Sequence, residues 1–477
     1  MTETPAPKPP ADALERFRRI VGPKGWSTDQ DVMAPHLSDW RGAYHGAAAM
    51  LLKPRTTDEV RRIVKTANEF NIALVPQGGN TSLCGASVPG SSGNEVVVSL
   101  TRMRTIRDVD PLNYAITVDA GLTLQEVQDE AAKVGRLFPL SLGAEGTAEI
   151  GGAISTNAGG VNVLKYGNMR SLVLGVEAVL PNGDLFADLT GLRKDNTGYD
   201  LKQLLIGAEG TLGIITAATL ALFPSLKANA TALAAVPGPK AAVELLALAR
   251  EASSDHVTSF EIMARPTLDL VFQHIPGCTD PLAKPYDWYA LIELGSPRSH
   301  DLLRRRLEDI LTTALDKNLV LDGALAANVA QANTLWRIRH GIPEAEKKAG
   351  TAIKHDISVP VSKMPAFMQA TAGALEDFIP GVELNVFGHI GDGNLHYNVR
   401  RWPDITDEEF AEKRLEVSNL VYAKVQDFGG SISAEHGIGV LKKDVLASTK
   451  PVEILNAMRL IKSALDPKGI MNPGKVI

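Results

Sequence analysis

Residues 57–70, beginning Thr57-Asp58-Glu59-Val60-Arg61-Arg62-Ile63-Val64-Lys65, open with a capping signal and carry apolar positions at helical spacing. The short apolar run 72–76 predicts a strand that leads straight into Gln77-Gly78-Gly79-Asn80-Thr81-Ser82, and residues 95–100 predict another strand. From 143 to 216 the chain is dense in glycine, with short β-branched segments between turns. Past Phe223-Pro224-Ser225 that density falls. Amphipathic helices at 241–251 and 302–315 then alternate with strands such as 288–294. Residues 406–428 predict a long helix, opened by acidic residues and closed by Gly429-Gly430. A last helix near 452–465 ends at Asp466-Pro467-Lys468-Gly469. The mixture reads as α+β with a boundary near 225.

Length and composition narrow the class. A chain of 477 residues exceeds one compact core, so two or three domains are expected. Hydrophobic content of 44% and charged content of 22% suit a globular protein. A formal charge of -6 and the lack of a basic stripe argue against nucleic acid as partner, while leaving room for a local basic pocket that captures an acid. With only Cys84 and Cys278, neither a disulfide framework nor a cysteine metal site is expected. The start, Met1 to Pro7, has neither the basic nor the apolar region of a secretory signal, and no run of about 18 apolar residues predicts a membrane span. The expectation is a cytoplasmic protein, with peripheral docking at an inner membrane left open.

The loop Pro76-Gln77-Gly78-Gly79-Asn80-Thr81-Ser82 follows a strand, and its glycines let backbone N–H groups converge, with Asn, Thr and Ser as extra donors. Such a nest suits a pyrophosphate; taken alone, a plain strand-to-loop turn explains it equally well. Three further glycine-rich stretches follow: Gly143 to Thr147, Gly151 to Gly160, and Gly207 to Ile215. None fits G-x-G-x-x-G, and the near P-loop at Gly469 to Lys475 has Val476 in place of Ser/Thr, so neither nucleotide fingerprint holds. Together with Arg193 to Leu201 and Asn472-Pro473-Gly474-Lys475, these loops resemble FAD-linked oxidoreductases of the vanillyl-alcohol-oxidase fold. Within that group the chain is most similar to the D-2-hydroxyglutarate dehydrogenases and the related D-lactate dehydrogenases and glycolate oxidase subunits.

The resemblance implies an α+β architecture in four parts. They are an N-terminal segment (1–44), an FAD-binding domain (45–225), a substrate-binding domain with an antiparallel sheet (226–430), and a helical C-terminal segment (431–477) that returns to the flavin. It implies FAD contacts at Pro76, Gly78, Gly79, Asn80, Thr81, Ser82, Gly143, Gly146, Thr147, Gly151, Gly152, Asn157, Gly160, Glu209, Gly213, Ile215 and Asn472. Some relatives tether flavin through a histidine in the first loop. Here Gln77-Gly78-Gly79-Asn80 offers none, so non-covalent FAD is expected.

The stretch Gly388-His389-Ile390-Gly391-Asp392-Gly393-Asn394-Leu395-His396 sets two histidines around a turn, and Glu435-His436 follow some 40 residues later. Two imidazoles and a carboxylate are a donor set for a catalytic divalent metal with an open position. Hairpin chemistry at Gly391 to Asn394 can bring His389 back towards His396, and alternation puts His396 and Asn398 on one strand face. The resemblance makes His389, His396 and Glu435 the ligands, Zn²⁺ first among metals. His436 is then the general base that takes the proton of a 2-hydroxyl as hydride passes to the flavin, with a carbanion route that deprotonates C2 first left open.

For the acid groups of the substrate, the resemblance carries over Arg339 and Lys354, with Asn398 beside the metal; a planar guanidinium and a second positive point suit carboxylates. In the 2-hydroxyglutarate enzymes a threonine stands between the two cations. Pro343 occupies that place here and supplies no donor, which puts a distal carboxylate in question. The expected reaction is oxidation of a D-2-hydroxy acid to the 2-oxo acid, D-2-hydroxyglutarate first. The alternatives are D-lactate, D-malate, or service as a flavin subunit of an electron-transfer complex. Expected partners are the small acid, a flavoprotein, quinone or cytochrome acceptor, and a second copy in a homodimer.

Overall fold

A computed structural model describes residues 7–298, 300–402 and 405–477. The reading of the first residues as lacking a leader therefore falls largely outside the described residues. The chain forms two compact units. The first comprises Met1–Gly159, Gly167–Pro224 and Glu435–Ile477; the second comprises Gly160–Tyr166 and Ser225–Ala434.

In the first unit the predicted helix runs over Thr57–Phe70, and the Thr56 hydroxyl caps it by accepting from the Glu59 N–H. Its buried stripe, Val60, Ile63, Val64 and Ala67, packs on a four-stranded sheet. That sheet orders Trp26–Ser27, Ala48–Leu52, Glu95–Ser99 and Leu74–Gln77 side by side, with the last three parallel. The C-terminal segment joins it: Leu74 N–H donates to Ile470 O and Asn472 N–H to Leu74 O, both at 2.8 Å. A second, antiparallel sheet orders Ile106–Asp110, Ala115–Asp119, Ile214–Ala221, Val173–Val179 and Leu185–Asp188. One local reading fails. The glycine-rich stretch from 151 is not an open loop but begins with a helix, Ile150–Ser155. Tertiary packing explains it, because a side chain at Gly151 would stand 2.7 Å from the Ala120 Cβ.

The second unit is built on one large antiparallel sheet. Its order is Asp322–Leu325, Ala228–Val236, Trp288–Ser296, Val257–Ala264, Leu384–His389, Asn394–Arg400 and Ala352–Ile353, with Asp356–Ser358 also pairing the 394–400 strand. One face buries Leu233, Leu291, Met263 and Phe387 under three helices, Arg265–His274, Val329–His340 and Ile342–Ala349. The predicted long helix is Asp407–Asp427, closed at its start by a capping box between Thr406 and Glu409.

Candidate functional site

The polar site of the second unit follows from strand alternation. Register pairs Glu261 with His389, Phe387 with His396, Asn385 with Asn398, and Asp356 with His396. Directly opposed residues share a face, and so do residues two apart along a strand. Glu261, His389, His396, Asn398, Asn385 and Asp356 therefore project from one side of four neighbouring strands. The hairpin turn predicted at Gly391 to Asn394 makes this possible. Gly393 has φ of 91°, and a side chain there would meet Val359 O at 2.4 Å, so only glycine fits.

His389 and His396 have ring centroids 6.1 Å apart and a ring nitrogen of each within 4.8 Å of the other. A carboxylate oxygen of Asp356 comes equally near a nitrogen of His396. Behind His389 lies Glu261, fully buried, whose Oε1 pairs with His389 Nδ1 at 2.5 Å and whose Oε2 accepts from Arg339 Nε at 2.7 Å. Burial alone would raise this carboxyl. Arg339 and His389 beside it reverse the effect and hold it down at about 2, so Glu261 is an anion. An anion on Nδ1 leaves Nε2 as the outward ring nitrogen, the arrangement that orients metal-binding histidines. In the turn, Asp392 is pushed up to about 6 by burial, against the pull of His389.

The two expected substrate cations are already engaged. Arg339 is buried against Glu261, and its guanidinium lies 5.0 Å from the Phe387 ring centroid. Lys354 Nζ donates to Glu346 Oε2 at 2.8 Å, and Asn398 Nδ2 donates to Glu346 Oε1 at 2.8 Å. The other end of the Asn398 amide accepts from His355 N–H at 3.1 Å. His355 itself is a buried structural residue between Tyr397 O and Ser418 Oγ. Glu435 and His436 begin the C-terminal segment of the first unit, directly after Ala434, whose N–H donates to Asp356 O at 3.4 Å.

Sequence reading missed Glu261 and Glu346, yet both left a trace. Glu261 is a charge inside Val257–Ala264, a strand otherwise free of charged residues, and Glu346 lies on the buried stripe of Ile342–Ala349 with Ile342 and Ala345. A charge at a core position requires a partner.

In the first unit the strand Leu74–Gln77 delivers the glycine loop. Gln77 anchors it by donating to His36 O and Ser87 O. At Gly79 a Cβ would lie 1.7 Å from Thr147 O, so the 78–82 and 143–147 loops are pressed together by design of the backbone. Asn80, at φ of 53°, departs from expectation. Its amide donates to Pro35 O and Ser38 O, and its oxygen accepts from Ser87 Oγ, so its side chain ties the loop down instead of offering a ligand donor.

Asn157 accepts from Arg170 N–H, Gly213 fits against Val179 O, and Ile215 is buried in its strand. Pro76 packs against Gly210, and Gly151 and Gly152 sit in the 150–155 helix. Gly160 falls in the second unit. The Glu209 carboxylate clasps the N–H groups of Ile438 and Gly439 at 2.7 and 2.9 Å; burial raises its pKa against those donors. Asn472 donates to Ala86 O and Glu209 O.

This region fits a polar ligand cradle. Positions of a Cβ on Gly143 and Gly146 face open space, while Asn472 Oδ1 and Glu149 Oε2 are buried without a hydrogen-bond partner among the described residues. Glu149, beside Gly78, was not foreseen. Burial raises its carboxyl to about 8, despite Arg104.

Comparison with known proteins agrees with both halves. Residues 48–187 match an FAD binding domain, and residues 225–476 match the C-terminal domain of FAD linked oxidases. The D-2-hydroxyglutarate dehydrogenase of Arabidopsis thaliana is 39% identical over 97% of this chain and 80% of its own length; that of Bos taurus is 38% identical over 98% and 83%. The fold aligns with alkyldihydroxyacetonephosphate synthase at a TM-score of 0.75 and 18% identity, covering 99% of this chain and 86% of that one. The chain belongs to the FAD-linked oxidases of the vanillyl-alcohol-oxidase fold, in the D-2-hydroxyglutarate dehydrogenase family. The expectation of a cytoplasmic protein is overturned, since both relatives are named as mitochondrial. Among the described residues, no helix is long and apolar enough to cross a membrane.

Proposed function

We propose that the protein oxidises a D-2-hydroxy acid, D-2-hydroxyglutarate first, to the 2-oxo acid. The observation that carries this reading is the pair His389 and His396, with buried Glu261 orienting His389 on the sheet face that Arg339 also borders. When bound, FAD supplies a hydride acceptor and a divalent metal, Zn²⁺ first, lowers the pKa of a coordinated hydroxyl. Backbone N–H groups at Gly78 and Gly79, with the hydroxyls of Thr81 and Ser82, would hold the pyrophosphate, and Gly143, Gly146 and Thr147 would flank the rest. His389 and His396 would ligate the metal through the nitrogens turned away from the protein, with Glu435 third. Chain continuity supports Glu435, which directly follows Ala434 at the end of the second unit.

His436, next in the chain, takes the 2-hydroxyl proton on an imidazole nitrogen, and Arg339 grips the 1-carboxylate through the terminal nitrogens that Glu261 does not use. Electrons then leave to a flavoprotein, quinone or cytochrome. Anaerobic mixing with D-2-hydroxyglutarate should bleach the flavin absorbance of the purified protein. Chelation should slow that bleaching and Zn²⁺ restore it. Absence of bleaching with every 2-hydroxy acid tried would overturn the reading.

A further inference from the structure

Glu346 engages Lys354 and Asn398, two side chains expected to meet the substrate. It is 3% exposed, and both oxygens are taken: Oε2 by Lys354 Nζ, and Oε1 by Asn398 Nδ2 at 2.8 Å and Asn385 Nδ2 at 3.4 Å. An ammonium on one oxygen and amides on the other is the donor set that recognises a free carboxylate. The helix Ile342–Ala349 fixes it there, because Ile342 and Ala345 bury one stripe and Glu346 extends that stripe towards the sheet. Pro343 lies three residues before it, on the same side of the helix, and offers no N–H or hydroxyl.

The charges balance locally. Arg339 is matched by Glu261 and Lys354 by Glu346. A monocarboxylate needs one cation, which the terminal nitrogens of Arg339 can supply. A dicarboxylate brings a second negative group, and Lys354 already holds an anion. Two carboxylates on one ammonium repel in a poorly solvated site.

We propose that Glu346 is a specificity-determining residue, an internal carboxylate that competes with the distal carboxylate of a dicarboxylic 2-hydroxy acid for Lys354 and Asn398. The proposal rests on the 2-hydroxy acid reading above. Lys354 keeps 27% of its side chain exposed, so a substrate group has a route to it once Glu346 yields.

The test compares D-2-hydroxyglutarate with D-lactate on the FAD-loaded enzyme. In Glu346→Gln the ratio of kcat/KM for the dicarboxylate over the monocarboxylate should rise about tenfold, a change of about 1.4 kcal/mol, and KM should carry it. Calorimetric affinities for the two acids should shift in the same ratio, which separates recognition from turnover. Glu346→Ala serves as the second variant, with the flavin spectrum as the check on folding. An unchanged ratio in both flavin-loaded variants overturns the assignment, as does an equal gain for both acids. If wild-type flavin is reduced by neither acid, the proposed function fails instead, and the calorimetric ratio still decides the role of Glu346.

Discussion

Glu149 and Glu261 are the same side chain at nearly the same depth, 6% and 0% exposed, and they behave oppositely. Glu149, in the first unit, has an oxygen with no hydrogen-bond partner among the described residues and a carboxyl raised by burial to about 8. Glu261, in the second, is buried more deeply still but is flanked by Arg339 and His389, which hold it at about 2. Depth does not decide the charge of a buried acid; the company it keeps does. The first unit keeps a neutral acid beside a ligand loop. The second keeps a fixed anion that orients a histidine and an arginine.

Removing the company should have the largest effect. Arg339→Ala leaves Glu261 buried with one partner fewer, and an uncompensated charge of this kind costs about 3–5 kcal/mol, to be read from the urea midpoint. A shift of a few tenths would mean that His389 alone compensates Glu261 and would break the contrast. Next comes Glu261→Gln, which preserves shape but lets either Nδ1 or Nε2 of His389 carry the proton. Loss of such an outer partner lowers metal affinity about 10–100-fold, measurable by chelator competition with the flavin spectrum unchanged. Equal zinc affinity in both proteins would remove Glu261 from any metal role.

The smallest effect, at acid pH, belongs to Glu149→Gln. The folded pKa of Glu149 lies above its ordinary 4.5, so its contribution to stability is full below pH 4.5 and is lost as pH rises through about 8. Relative to the variant, wild type should lose stability as pH rises from 5 towards 8 and little more beyond it. Parallel pH profiles would show that Glu149 is as well partnered as Glu261.

The comparison also explains what was readable in the sequence. Local signals worked where the physics is local: the helix Thr57–Phe70 behind its cap, the glycine turn at 391–394, the alternation that sets His396 and Asn398 on one face. They failed where a partner is remote. His389 and Glu261 are 128 residues apart, and nothing near His389 announces the acid behind it. Asn80 looked like a ligand donor because its neighbours are polar, but carbonyls 42 and 45 residues upstream had claimed it. Gly151 and Gly152 read as loop because glycine disfavours helices, a preference that close packing on Ala120 overrides.

The clasp of Glu209 on Ile438 and Gly439 carries a consequence for how the chain is made. The first unit needs residues 435–477 to finish its sheet and to satisfy that carboxylate, and those residues leave the ribosome only after the whole of 225–434. The second unit can thus fold while its elder neighbour in the chain still waits for its last strand partner. A chain cut before residue 438 would bury the Glu209 carboxylate without either N–H donor and is expected to hold less flavin, read from its absorbance.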